Sequence, residues 1–399
     1  MARPLRNIHR PGPQRGPRRR ALALATVAVA VALAAAPGAA SGKTAFDGSG
    51  MWIWYVSKSS GGSPSAIIAK AHKYGVRTVY VKSGDAKSSP QYWSQFPDNI
   101  GALKAGGLKV CAWQFVYGDN PKDEAKVAAR AIKDGADCFV IDAESAYEGG
   151  KYSAARTYMK RLRKDAGKSY PIGLAGFPWV DYHPSFPYSV FLGPGGAQFN
   201  LPQVYWKEIG GGVDKVMGHT YRWNLPYGRA IYPLGQLYEG VNGRPTRAGI
   251  LRFRKYAKAE GAKGVSWWSW QHANSTAWKA IDAPISAFKD PVEKDYVTIS
   301  GGKGDIVYWA QQHLRAAGQS PPVSGEFGSS TKQAVKNFQA GAGLPATGAI
   351  DTDTWVALLS YGTSRSSRTK LHAASTGEPR TAHLPAKRYE IPPPSARRP

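Results

Sequence analysis

The sequence predicts an α/β chain, a (β/α)8-type barrel irregular in its second half, followed by a small all-α unit of three helices. Three observations predict it. Eight short β-branched or aromatic runs alternate with amphipathic stretches between Met51 and Ala283. That span is close to the roughly 250 residues of one such barrel. A connector at 284–300, punctuated by Pro284 and Pro291, then separates it from a compact segment with helical spacing of its own.

The strand-like runs are Met51–Val56, Thr78–Lys82, Lys109–Phe115, Cys138–Asp142, Ile172–Gly176, Leu201–Trp206, Ala230–Leu234 and Gly264–Trp270. Helix punctuation lies between them. Ser63-Pro64 opens a helix that Gly75 closes, and Asn120-Pro121 opens one that ends at Gly135. Tyr152 to Ala166 and Thr246 to Glu260 are each followed by glycine. Pro184 to Ala197 carries no helical pattern, hence the irregular second half. An open doubly wound sheet would require a glycine-rich phosphate loop, and the sequence contains no G-x-G-x-x-G.

Residues 1–40 are a different material. Arg18, Arg19 and Arg20 precede an apolar run from Ala21 to Ala36, followed by Gly38-Ala39-Ala40. A positive segment, an apolar segment and small residues in that order predict a secretory signal peptide. The apolar run is short of the ~20 residues of a spanning helix. The expected protein is therefore secreted and associated with the cell wall, with no stable membrane insertion after cleavage. The net charge is +26, and removal of residues 1–40, with seven arginines and no acid, leaves +19. Such a charge outside the cell predicts association with anionic wall polymers. Nucleic acid is not an expected partner, because no zinc-finger, helix-turn-helix or RNA-binding pattern occurs. Residues 362–399, rich in Ser, Pro and Arg, are expected to form a basic disordered tail.

Cys111 and Cys138 are the chain's two cysteines. Both fall in apolar strand-like runs, where buried thiols are common, and the reading favours thiols over a bridge. No His/Cys/Asp cluster with metal spacing and no Gly-x-Ser-x-Gly elbow is present, so neither metal nor cofactor is expected.

The last folded segment, 300–361 after a linker at 286–299, carries a dense pattern. Gly304-Asp305 precedes a stripe of Val307, Ala310, Gln311 and Leu314. Gly325-Glu326-Phe327-Gly328 and Thr331 precede Ala334, Val335, Phe338 and Gln339. Thr347-Gly348, Asp351, Trp355 and Leu358 complete it. Gly328 and Gly348 are expected at turns with positive φ, and Asp351 as a helix cap. This pattern resembles the three-helix peptidoglycan-binding domain, which implies binding to peptidoglycan or another cell-wall polysaccharide.

In the barrel at 45–285, chemistry is expected where strands end. The fourth run ends Asp142-Ala143-Glu144, and two carboxylates two apart on an extended chain point to one side. Close carboxylates can separate their pKa values, as cleavage of a glycosidic bond requires. Asp142 and Glu144 are thus the candidate catalytic residues. The pair is similar to the Asp-x-Glu of lysozyme-like glycoside hydrolase family 25 muramidases; the family 18 chitinase spacing is matched less well, since Val140 stands where a further acid would be. The resemblance implies that Glu144 donates a proton and Asp142 supports the reacting sugar. The sequence departs from family 25 at the end of the first strand, where Trp52, Trp54 and Tyr55 stand without an aspartate. Asp85, Asp181 and Glu239 follow other strands and are candidate substitutes. Aromatic and amide side chains at strand ends complete a candidate glycan-binding set of Trp52, Trp54, Asp85, Trp113, Gln114, Tyr117, Gln203, Tyr205, Trp206, Gln236, Tyr238, Glu239, Trp268 and Trp270. The expected function is a secreted peptidoglycan hydrolase, or else a wall-binding protein whose barrel holds glycan without cutting it.

Overall fold

The computed structural model describes residues 43–85, 89–288, 292 and 294–363. The predicted signal segment, and all but the first two residues of the predicted tail, lie outside them. Eight parallel strands run in order around a closed barrel: β1 Gly48–Ile53, β2 Val76–Asp85, β3 Lys109–Val116, β4 Cys138–Ala143, β5 Ile172–Gly176, β6 Phe199–Val204, β7 Leu234–Gln236 and β8 Gly264–Trp268. β1 pairs with both β2 and β8, which closes the ring. A short antiparallel strand, Gln91–Tyr92, folds back on the end of β2, and Ala230–Ile231 lies beside β6.

Several strand ends differ from expectation: the second run extends to Asp85, and the sixth stops at Val204 in place of Trp206. The seventh run splits around Pro233, which has no N–H to give a ladder; β7 starts after it. The first run ends at Ile53 and the eighth at Trp268, so the residues beyond them leave the sheet.

Among the described residues, seven helices of eight residues or more cover the outside: α1 Pro64–Lys73, α2 Gln95–Ala105, α3 Pro121–Lys133, α4 Tyr152–Ala166, α5 Gly212–Asn224, α6 Arg247–Ala259 and α7 Ser275–Asp282. Ser63 caps α1 by accepting from Ala66 N, and Thr246 caps α6 by accepting from Gly249 N. Between β5 and β6 stands only the four-residue helix Tyr188–Phe191 with a 3-10 turn at Val180–Tyr182, as the patternless stretch predicts.

Strand alternation sorts side chains into two cores. Met51, Ile53, Val79, Val81, Phe139 and Ile141 face the helices. Trp52, Tyr80, Trp113, Val140, Leu201, Leu234 and Trp268 fill the barrel interior. Trp52 packs 5.2 Å from Tyr80, 5.4 Å from Trp113 and 5.7 Å from Trp268, ring centre to ring centre. Gly50 makes room for Tyr80, whose ring would lie 2.5 Å from any Cβ placed there. Cys111 and Cys138 also point inward, and here the expectation of free thiols is corrected. They are register partners on β3 and β4 with Cα atoms 4.6 Å apart, and they form a disulfide.

The C-terminal unit has three helices, α8 Asp305–Ala316, α9 Ser329–Gly341 and α10 Thr352–Leu359, around Val307, Leu314, Val335, Phe338 and Trp355. Two buried glutamines tie its loops to its helices. Gln311 accepts from Gly325 N and donates to Glu326 O and Thr331 Oγ1; Gln339 accepts from Gly348 N and donates to Ala349 O and Thr354 Oγ1. Asp351 caps α10 on Thr354 N at 2.9 Å. Gly348 has φ of +79°, as expected, but Gly328 does not. It is the N-cap of α9 with φ −94° and ψ −172°, an extended geometry that any residue adopts.

This unit is docked on the barrel at the irregular stretch. Asp305, fully buried, accepts from Ser189 N at 2.8 Å, Ser189 Oγ at 2.6 Å and Tyr227 OH at 2.9 Å. Trp309 Nε1 donates to Pro226 O at 2.7 Å, and Asp305 N to Pro184 O at 2.8 Å. The expected linker is partly structural, since Val297 bridges Arg222 O and the Trp355 indole. Among the described residues no helix is long and apolar enough to cross a membrane.

Candidate functional site

The C-terminal ends of the strands surround a cleft lined by Trp52, Trp54, Lys82, Asp85, Trp113, Phe115, Tyr117, Asp142, Glu144, Gln203, Tyr205, Leu234 and Trp268. The alternation that turns Val140 inward carries Asp142 and then Glu144 to the same side, and both reach the cleft. From two strands away, a single amide nitrogen serves both. Gln203 Nε2 donates to Asp142 Oδ1 and to Glu144 Oε1, each at 3.0 Å. Gln203 is itself buried, and its Oε1 is buried without a hydrogen-bond partner.

Burial dominates the electrostatics. It holds the Glu144 carboxyl up to about 7, against the pull of the Gln203 hydrogen bond. Asp142 is raised well above the usual carboxylate range, first by burial and then by the neighbouring Glu144; Lys82 opposes the shift and Asp85 adds to it. Two carboxylates that share one donor in a low-dielectric cleft titrate as a pair, and the pair retains a proton near neutral pH.

Lys82 is a site residue that sequence reasoning missed. Its side chain is 3% exposed, bonded to Asp85 at 2.5 Å, and caged by Trp54, Trp93 and Trp113 with ring centres 5.0, 4.6 and 5.0 Å from Nζ. The signal was present, because Lys82 shares the inward parity of Tyr80 on a buried strand. Phe115 and Leu234 were also missed. Tyr117 is raised to about 12, by burial first and then by the charge of Asp85.

Eight of the fourteen expected glycan-binding residues line the cleft: Trp52, Trp54, Asp85, Trp113, Tyr117, Gln203, Tyr205 and Trp268. Six do not. Gln114 follows the inward Trp113 and so faces outward, its Cγ beside the Gly84 that packs on Val127 of α3. Trp206 follows the inward Tyr205 and stacks on Phe253 of α6, 5.4 Å away. Trp270 lies beyond the end of β8 and packs on Trp278 of α7 at 4.8 Å. Gln236 is spent on the backbone, where its Oε1 accepts from Lys207 N and Glu208 N. Tyr238 sits behind Tyr205 at 5.5 Å, and Glu239 is exposed beside Arg244. Of the candidate substitutes for a first-strand acid, Asp85 lines the cleft, whereas Asp181 is paired with His219 at 2.7 Å.

The fold and site define a (β/α)8 barrel with an acidic, aromatic cleft, carrying a helical module. Residues 303–358 match the family model described as "Putative peptidoglycan binding domain" and form a peptidoglycan-binding domain. No curated protein sequence matches the chain. Among solved structures, the barrel is similar to the Bacillus cereus spore cortex-lytic enzyme SleL (11% identity, TM-score 0.45, 60% of this chain and 75% of that one). It is also similar to the chitinase of Chromobacterium violaceum (10%, 0.44, 59% and 98%) and to the chitinase ChiB of Flavobacterium johnsoniae (8%, 0.46, 60% and 94%).

Proposed function

We propose that the chain is an exported cell-wall glycan hydrolase of the muramidase type, held on the wall by its C-terminal domain. The observation that carries this reading is the Asp142–Glu144 pair, bridged by one amide in a cleft walled by tryptophan and tyrosine. A carboxyl group raised to about 7 is still partly protonated at neutral pH, which suits it to hand a proton to a glycosidic oxygen. In this reading Glu144 protonates the leaving oxygen as the C–O bond breaks; a water oxygen then bonds to the freed anomeric carbon, and its proton returns to Glu144. Asp142 supports the positive charge that develops on the sugar or its acetamido group. The flat faces of Trp54, Trp268 and Tyr205 suit pyranose rings. The signal-like residues 18–40 support export, and the charge of +19 that remains without residues 1–40 (26 − 7) supports retention on anionic wall polymers.

A second reading, a barrel that binds glycan without cutting it, is favoured by one observation: the third carboxylate of the cleft, Asp85, is already paired with Lys82. The test is a cell-wall zymogram with the chain lacking residues 1–40, beside its Glu144→Gln variant. The hydrolase reading expects clearing and new reducing ends from the first and none from the second. Undiminished clearing by Glu144→Gln would overturn the role of Glu144. Wall pull-down with no reducing ends released would establish the binder.

A further inference from the structure

We propose that Glu124 and Lys151, neither of which lines the cleft, are positioning residues: they clamp the loop after β3 against the turn after β4 and so hold Tyr117 and Glu144 in one arrangement. This deepens the reading above and rests on Glu144 being the proton donor.

Glu124 stands in the first turn of α3 and is fully buried. A buried carboxylate needs donors, and this one draws them from outside its own helix. Its Oε1 accepts from Tyr117 N at 2.8 Å and from Gly118 N at 3.1 Å, and its Oε2 from Gly118 N at 3.1 Å. Both residues belong to the loop after β3. Oε2 also meets Tyr147 OH at 3.5 Å. Tyr147 ends the 3-10 turn Ser145–Tyr147 that directly follows Glu144, and its N–H donates to Glu144 O at 2.8 Å. One carboxylate thus touches the loop that carries Tyr117 and the turn that leaves Glu144.

The two segments also touch each other. Gly118, with φ of +75°, lies against the Tyr147 ring, which would come within 2.9 Å of any Cβ placed there. Lys151, the residue before α4, closes the loop from the other end: its Nζ donates to Tyr117 O at 3.0 Å and to Asp119 Oδ1 at 2.6 Å. Tyr117 therefore has its N–H held by one distant side chain and its C=O by another. Its ring lines the cleft, 4.8 Å from that of Phe115. An acid placed only to complement α3 would serve the N–H groups of that helix or stay at its exposed end, as Asp123 does beside Lys126. Fixed geometry around reacting groups matters for rate, since a misplacement of about 1 Å can cost about 10²-fold.

The experiment follows release of reducing ends from cell walls against pH, for the parent and for Glu124→Gln, Lys151→Met and Asp123→Asn. Glu124→Gln keeps the shape but sets an amide NH2 against the loop N–H groups, and should lower the maximal rate by about tenfold; Lys151→Met should lower it by about threefold. Wall pull-down, assigned to the C-terminal domain, should not change. Both variants should also move the alkaline limb of the profile to lower pH. Glu144 acts while protonated and burial holds it up to about 7, so a loosened turn that admits water lets that value fall. The other groups facing the acid pair, Lys82 and Asp85 of β2, Gln203 of β6, Tyr205 after it and Tyr238 after β7, are untouched by these substitutions. Asp123→Asn removes a charge from the same helical turn without touching the loop, and should alter neither rate nor limb. Urea midpoints check the fold, and the part-exposed Lys151 decides the question if Glu124→Gln does not fold. A parental rate and limb in the folded variants overturns the clamp and leaves the hydrolase reading standing. A lower rate with an unmoved limb, or an equal effect of Asp123→Asn, overturns the clamp as well. A parent that releases no reducing ends overturns the hydrolase reading and the clamp with it.

Discussion

Among the described residues, the buried Asp305 at the seam between barrel and module and the Asp142–Glu144 pair in the cleft are provided for very differently. At the seam, Asp305 receives a backbone N–H, a serine hydroxyl and a tyrosine hydroxyl; burial still raises its carboxyl to about 6. In the cleft, two carboxylates share one amide nitrogen. Both sites are buried, so burial alone does not mark function. A carboxylate surrounded by its own donors is a fastener. Carboxylates left short of donors, with a proton near neutrality and a cleft in front of them, are arranged to do something with that proton.

The largest effect that would break this comparison is on activity. Glu144→Gln is expected to lower wall hydrolysis by about 10³-fold, within the range of a lost general acid, while the chain stays folded. Asp305→Ala should do the reverse. It strands the Ser189 and Tyr227 donors in the seam and is expected to cost about 3 kcal/mol in urea unfolding. Its binding of short glycan strands should not change. Loss of glycan binding in Asp305→Ala at a temperature where it remains folded would show that the seam is not only a fastener.

Titration sharpens the contrast next. Glu144 is raised from an ordinary 4.5 to about 7, so the folded state binds its proton more strongly than the unfolded one. That contribution is fully present below about pH 4.5 and is lost as pH rises through 7. Glutamine pays no such penalty. Glu144→Gln should therefore be more stable than the parent at pH 8, on the order of 2–3 kcal/mol, with the gap closing toward pH 4.5. Chemical denaturation across that window checks it, and a gap that does not vary with pH would mean that Glu144 is not held protonated by burial.

The barrel was legible because alternation and helix punctuation are local, and the acid pair because two residues on one strand share a face whatever surrounds them. The errors arose where direction depends on how a strand ends. Gln114, Trp206 and Trp270 were chosen for residue type beside strand ends, but parity or the early end of β8 turns them toward the helices. Residue type alone does not mark Lys82, since a lysine closing a strand is ordinarily solvated. What buries it is a cage drawn from β1, β3 and the stretch before α2, which no single strand reveals. The disulfide depended on register between β3 and β4. The seam was out of reach altogether, since Asp305 meets partners 78 and 116 positions away in the chain.

The smallest predicted effect isolates one bond of the seam. Trp309 Nε1 donates to Pro226 O at 2.7 Å, while its ring packs 5.8 Å from Tyr227 and 4.4 Å from His313. Trp309→Phe keeps an aromatic ring in that space and removes the donor. Pro226 O then loses its partner, at a cost of about 1 kcal/mol, which should appear as a modest fall in the urea midpoint with an unchanged slope. If the module and barrel separate when that bond is lost, the slope should fall as well, because two units would then unfold in place of one. An unchanged slope, with cleft binding intact, would leave the seam as the passive partner in the comparison and the cleft as the place where burial is put to use.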